Sequence, residues 1–116
     1  MKIAISSEGG GMDGNIAGHF RRSPEFVLVE TEEKQVKSVK VIKNPYLKDP
    51  VPGVLPEFIK KTGADVVLTG GAGPMAIKAL NEMDIKLVLG CKGKISDVVR
   101  DYLEENLKTG SNICEH

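Results

Sequence analysis

Asp65-Val66-Val67-Leu68-Thr69-Gly70-Gly71-Ala72-Gly73-Pro74 decides how this chain folds. A run with almost no polar position is what a strand covered on both faces requires, so it predicts an interior strand of a parallel sheet. Glycines then turn the chain. Pro74 suits the opening of a helix, where its missing N–H has no intrahelical partner anyway. The same grammar stands at the start, where Ile3-Ala4-Ile5 runs into Gly9-Gly10-Gly11-Met12-Asp13-Gly14. Eight of the thirteen glycines fall within 9–18 and 70–73, so they are concentrated in two turns. Glycine lacks a Cβ and lets backbone N–H groups come close to a ligand. If both turns open at one edge of one sheet, that edge is the functional site.

The intervening sequence supplies the remaining elements. Residues 2–6 predict a buried first strand, and 7–18 a loop. Ser23-Pro24 punctuates before a second strand over 25–31. Glu32-Glu33-Lys34 is a short polar turn into a β-branched third strand, Val36 to Ile42, which is hairpin spacing. Lysines 34, 37, 40 and 43 line that strand and blunt it as a sheet edge. Prolines 45, 50 and 52 with Gly53 exclude regular structure over 44–53. Helices follow over about 54–62, from Pro74, and over 95–107, each with apolar residues at helical spacing. Lys86-Leu87-Val88-Leu89 is a fifth strand.

The order is β-β-β-α-β-α-β-α, with strands 1, 4 and 5 parallel and central. The predicted sheet is mixed and five-stranded, of order 3-2-1-4-5, with helices on both faces. The chain grows outward through strands 2 and 3, then returns to the other side of strand 1. Open α/β sheets bind ligands outside the carboxyl ends of strands that flank such a reversal. Loops 7–18, 70–74 and 90–94 all leave from that edge, and the last carries Cys91. The helix at Pro74 turns free N–H groups and its positive dipole end there, which suits an anion. Alternatively, the glycines serve only to make tight strand-to-helix turns.

At 116 residues the chain fits one domain and can bury a core without staples. With 41% hydrophobic and 28% charged residues it reads as an ordinary globular protein. Sixteen basic and sixteen acidic residues balance, and Trp is absent, so neither a basic footprint nor a stacking platform points to nucleic acid. No apolar run approaches the roughly 20 residues of a membrane span, and the first residues are too short an apolar stretch for a signal peptide. These features predict a cytoplasmic protein whose two cysteines, Cys91 and Cys114, are thiols rather than a disulfide framework.

Several chemistries fit poorly. Gly9-x-Gly11-x-x-Gly14 matches a dinucleotide fingerprint in form, and Glu30 lies at a plausible distance for a ribose contact. No uninterrupted helix starts at these glycines, however, because Gly18 and Pro24 follow. A Walker-type Gly-Lys-Ser/Thr is absent. Carboxylates for two-metal chemistry are missing from strand 1, and strand 4 has only Asp65 at its entrance. Cys91 with His19 would make a nucleophile and a base without a third orienting residue. Binding of a soft metal or a metal–sulfur cluster has more candidates: His19, Cys91, Cys114 and His116, with Met12 and Met75 in the glycine turns. Glycine N–H groups could donate to bridging sulfides. The plainer reading makes His19 structural, the cysteines unremarkable and the methionines loop or core filler.

Two segments and a dipeptide resemble a known family. His19-Phe20-Arg21-Arg22-Ser23-Pro24-Glu25-Phe26 is similar to the His-Phe-Gly-Arg-x-Pro-x-Phe segment of the dinitrogenase iron–molybdenum cofactor biosynthesis family (NifX-type domains). Asp65 to Ala76 is similar to its Asp-Val-Val-Ile-x-Gly-Gly-Ile-Gly-x-x-Ala segment, and Asn44-Pro45 sits where many members have Asn-Pro. The resemblance spans about residues 1–107. It implies a three-layer ribonuclease-H-like α/β fold and non-catalytic binding or carriage of an iron–sulfur or iron–molybdenum cofactor precursor. By position it assigns His19 and the glycines at 70–73 to the site. Arg21 stands where the family has glycine, which makes that loop bulkier and more positive.

Taken together, residues 1–108 are expected to form one cofactor-binding domain, and 109–116 a flexible tail. The expected cofactor contacts are Gly10, Gly11, Arg21, Arg22, Gly70, Gly71 and Gly73, with His19, Cys91 and Cys114 as metal ligands. The cluster would be bound transiently, with a cofactor-assembly protein as partner and neither nucleic acid nor membrane. A homodimer stays open. The rival expectations are a small nucleotide- or phosphate-binding enzyme and a regulatory interaction module, both using the same glycine-rich edge.

Overall fold

The apolar runs predicted as strands 1, 4 and 5 do lie side by side and parallel, with the hairpin on one flank. The computed structural model describes residues 1–48, 53–105 and 107. Its elements are β1 (Lys2–Ser7), β2 (Glu25–Glu32), β3 (Gln35–Lys43), α1 (Val54–Lys61), β4 (Val66–Leu68), α2 (Pro74–Glu82), β5 (Lys86–Val88) and α3 (Ile95–Leu103). One 3-10 turn, Gly11–Asp13, interrupts the first long loop. The sheet order is β3-β2-β1-β4-β5, as the apolar runs, the hairpin spacing and the edge lysines predict.

Alternation along each strand sorts the core into two layers. Ile3, Ile5, Val27, Val29, Val66 and Leu68 face α3, where Ile95, Val98, Val99 and Leu103 close over them. Ala4, Phe26, Leu28 and Val67 face the other way, under Leu55 and Ile59 of α1 and Leu80 of α2. The result is a three-layer sandwich, α3 on one side and α1 with α2 on the other. Among the described residues no helix is long and apolar enough to cross a membrane.

α3 stops at Leu103, four residues before the periodicity suggests, and Glu105 has a φ of 60°. Two carboxylates, Glu104 and Glu105, would otherwise sit at the negative end of the helix dipole, where acidic side chains are unfavourable. The expected tail at 109–116 lies outside the described residues, and with it the candidate ligands Cys114 and His116.

The β2–β3 hairpin closes with two residues between the paired Glu32 and Gln35. Both turn residues have positive φ, 51° at Glu33 and 66° at Lys34. This is the pattern of a type I′ turn, which prefers Asn-Gly because L side chains resist that conformation. Replacing Glu33→Asn together with Lys34→Gly is therefore expected to stabilise the protein by about 1 kcal/mol. Urea unfolding should show a higher midpoint at unchanged slope. A midpoint at or below that of the parent would mean that the turn is not strained.

Candidate functional site

Backbone hydrogen bonds tie the three loops at the carboxyl ends of the parallel strands into one structure. Gly70 N–H donates to Ala17 C=O (3.1 Å), and Phe20 N–H donates to Gly71 C=O (2.8 Å). Gly90 N–H reaches Gly70 C=O (3.0 Å), and Cys91 N–H reaches Thr69 C=O (3.1 Å). Farther along, Ile16 N–H bonds Gly93 C=O and Ile95 N–H bonds Gly14 C=O, both at 2.9 Å. The condition set by the sequence is met: the loops converge at one edge.

The approach at Gly70 is close enough to dictate its identity. A Cβ there would lie 2.8 Å from Gly18 Cα and 2.9 Å from Ala17 C=O. Gly70 therefore lets two backbone segments cross, and its N–H is already used. The next segment is different. Among the described residues no acceptor takes the N–H groups of Gly71, Ala72, Gly73, Met75 or Ala76. These five donors lie in the turn into α2 and in its first helical turn.

An apolar groove of about 260 Å³ opens beside these donors, on the α1/α2 side of the sheet. Phe20 and Tyr46 form one wall, Leu55 and Pro56 another, and Gly73 to Ala76 a third; Arg21 supplies its one cationic side chain. Asn44 explains how this wall is held. It is buried, and its amide nitrogen donates to Arg21 C=O (3.3 Å) and Ser23 C=O (3.0 Å), while its Oδ1 accepts from Tyr46 N–H (2.9 Å). One side chain thus fixes both the Arg21 loop and the Tyr46 turn, which gives the Asn-Pro dipeptide a physical role. Phe20 is 1% exposed and packs against Phe26, with ring centroids 5.5 Å apart.

The first glycine turn is built for another purpose. Gly11 N–H and Ser7 Oγ–H both donate to Glu25 Oε2, at 3.0 and 2.8 Å, and Gly9 N–H donates to Ser7 Oγ. The turn lies on the α3 side: Met12 packs against that core, and a Cβ on Gly11 would touch Val41 at 3.3 Å. Gly11 therefore already has an anionic acceptor from its own chain.

The remaining candidates separate. His19 is exposed, next to Phe20 in the bound loop, and its carbonyl accepts from Ser23 Oγ (2.8 Å). Arg21 and Arg22 are exposed and form no ion pair among the described residues. Cys91 is 2% exposed and belongs to the α3-side core, with its thiol directed at Val88 C=O (3.6 Å). Met75 is 70% exposed on the groove, whereas Met12 is core filler. Among the described residues no three His, Cys, Asp or Glu side chains cluster as a metal site. Tyr46, Leu55 and Pro56 were not singled out from the sequence. Their only signal is that they flank the proline-rich connection that brings α1 over the sheet.

Comparison with known proteins agrees with this architecture. A solved structure, designated PH0822, superposes with a TM-score of 0.88 at 41% identity, covering 95% of this chain and 96% of that one. The apo form of the orange protein from Desulfovibrio gigas superposes with a TM-score of 0.82 at 27% identity, covering 95% and 92%. An uncharacterised protein of Methanocaldococcus jannaschii is 23% identical over 111 residues, 93% of this chain and 90% of that protein. Residues 1–105 match the family described as dinitrogenase iron-molybdenum cofactor, and the chain belongs to that family.

Proposed function

We propose that this protein is a non-catalytic binder or carrier of an anionic metal–sulfur species, such as an iron–sulfur or iron–molybdenum cofactor precursor, passed to or from an assembly protein. The observation that carries this reading is the meeting of three N–H donors without an acceptor among the described residues, those of Gly73, Met75 and Ala76, with Arg21 on an apolar groove. Sulfide-bearing clusters are large, soft and weakly hydrated anions. They gain from N–H donors and a cation without demanding a fully polar wall. With no trio of coordinating side chains among the described residues, a preassembled cluster suits the site better than a bare ion. In this reading Gly73 lets the cargo approach, Arg21 balances its charge, and His19 stands beside the mouth as a candidate ligand. Cys91 acts as a core residue.

The same donors would also attract a phosphorylated small molecule, so the test must separate the two. Anaerobic reconstitution with iron and sulfide, followed by visible absorption, does so. The parent protein should gain charge-transfer bands. Arg21→Glu combined with Ala76→Pro should weaken uptake by roughly tenfold or more, as expected on losing a charge-assisted contact and a donor. Ala76→Pro keeps the fold in reach, because Pro56 already occupies the third position of α1. Cys91→Ala should retain the bands. Bands indifferent to the double substitution would sink the site assignment. No bands in the parent, with thermal stabilisation by nucleotides, would favour the enzyme reading.

A further inference from the structure

The outer edge of the sheet is blunted by lysines and a register slip but covered by no other element of the described chain. β3 is a nine-residue edge strand, and Val36, Val39 and Val41 are 43–47% exposed on it. Their partners across β2 are Thr31, Val29 and Val27, so all three valines stand on the α3 side of the sheet, outside the core that α3 closes. Asn44 N–H donates to Pro24 C=O at the end of the hairpin. The strand pairing then makes the even-numbered residues 38, 40 and 42 the ones that exchange bonds with β2. The N–H and C=O groups of Val39, Val41 and Lys43 consequently point outward from the sheet, while the register slips by one residue at Lys37. The valine strip continues into a shallow groove lined by Met12, Val36, Val99 and Leu103.

Charge decides what can dock there. From Lys34 to Lys48 the chain has five lysines and no acidic residue, although its overall charge is balanced. Lys34 and Lys37 reach Glu105 and Glu32 through exposed pairs; Lys40 and Lys43 pair with no described residue. A second copy pairing along all nine residues of this edge, 35 opposite 43, would set Lys40 diagonal to its counterpart and Lys37 diagonal to Lys43. Two strands that carry lysines and no acidic residue would then repel. Nucleic acid would find the positive charge but no aromatic surface to stack on. We propose that β3 docks an extended acidic segment of a partner protein as a sixth strand. Its main chain would bond the outward groups of residues 39–43, its apolar side chains would cover Val39 and Val41, and its carboxylates would meet Lys40 on the opposite face and Lys37 and Lys43 at the two ends of the valine strip.

The test uses two synthetic peptides, one containing Glu-Thr-Val-Glu-Val-Thr-Glu and one with Lys in place of each Glu, titrated into the isotope-labelled protein. The acidic peptide should bind with sub-millimolar affinity, shifting and protecting the amides of 39, 41 and 43. Reversing Lys37→Glu, Lys40→Glu and Lys43→Glu should weaken it roughly tenfold or more at low salt. Val39→Thr with Val41→Thr, which preserves strand propensity, should weaken it without altering the salt dependence. Equal binding of both peptides, no binding near ~1 mM, or shifts centred elsewhere would overturn the proposal. So would self-association through β3, or tighter binding of a single-stranded oligothymidine to the same residues.

Discussion

Gly14→Ala is expected to cost about 3 kcal/mol or more and to lower Tm by roughly 10–15 °C. A Cβ at position 14 would enter the Gly9 carbonyl group and crowd Gly11 C=O at 3.3 Å. Those carbonyls have little room to retreat. Gly9 N–H is held by Ser7 Oγ and Gly11 N–H by Glu25, both at 3.0 Å. Gly14 is itself held through its N–H to Gly11 C=O and its C=O to Ile95 N–H. The strain must therefore spread into β1, β2 and the start of α3. Gly18→Ala and Gly73→Ala are the controls. A Cβ at either meets nothing within 4 Å, and neither needs a left-handed backbone. Each should change stability by no more than about 0.5 kcal/mol. Thermal melts of the three variants check this. A Gly14→Ala protein melting beside its controls would mean that the first glycine turn is not a rigid part of the frame.

Phe20→Ala should cost about 3–4 kcal/mol, the range for emptying a buried aromatic site. The ring is almost wholly enclosed and packs tilted against Phe26, and the residue's N–H anchors the loop to Gly71. Phe20→Leu should recover more than half of the loss, since most of the volume returns. Met75→Ala, with its side chain 70% exposed on the same groove, should leave stability nearly unchanged. Urea midpoints order the three. If Phe20→Ala were as mild as Met75→Ala, the groove wall would be a loose flap and not part of the core. The loss of the ring also removes a wall of the cargo groove, so the leucine variant is the one in which binding can be compared at nearly full stability.

The strand order was legible because three kinds of signal agreed. Uninterrupted apolar runs marked the parallel strands, a short polar turn marked the hairpin, and lysines marked its outer strand. The end of α3 was misjudged because apolar spacing continues past Leu103, while the unfavourable placement of Glu104 and Glu105 carries no periodicity. Convergence of the loops followed from topology. Which side of the sheet each loop serves did not, because irregular backbone has no repeat from which to read a face. Cys91 and the groove thus shared a predicted edge yet fall on opposite layers. Glu25 capping Gly11 joins residues fourteen positions apart, and Asn44 holding Arg21 C=O joins residues twenty-three apart. Such side-chain-to-backbone bonds leave no mark in local sequence.

The carboxylate of Glu25 has one more consequence. It is tethered beside Gly11, so any dissolved anion arriving there competes with a resident that cannot diffuse away. Among the described residues no such resident acceptor stands at the N–H groups of residues 71–73, 75 and 76. Of the two glycine turns, the first is therefore plugged by the chain's own charge, and the second carries its N–H groups without such a plug among the described residues.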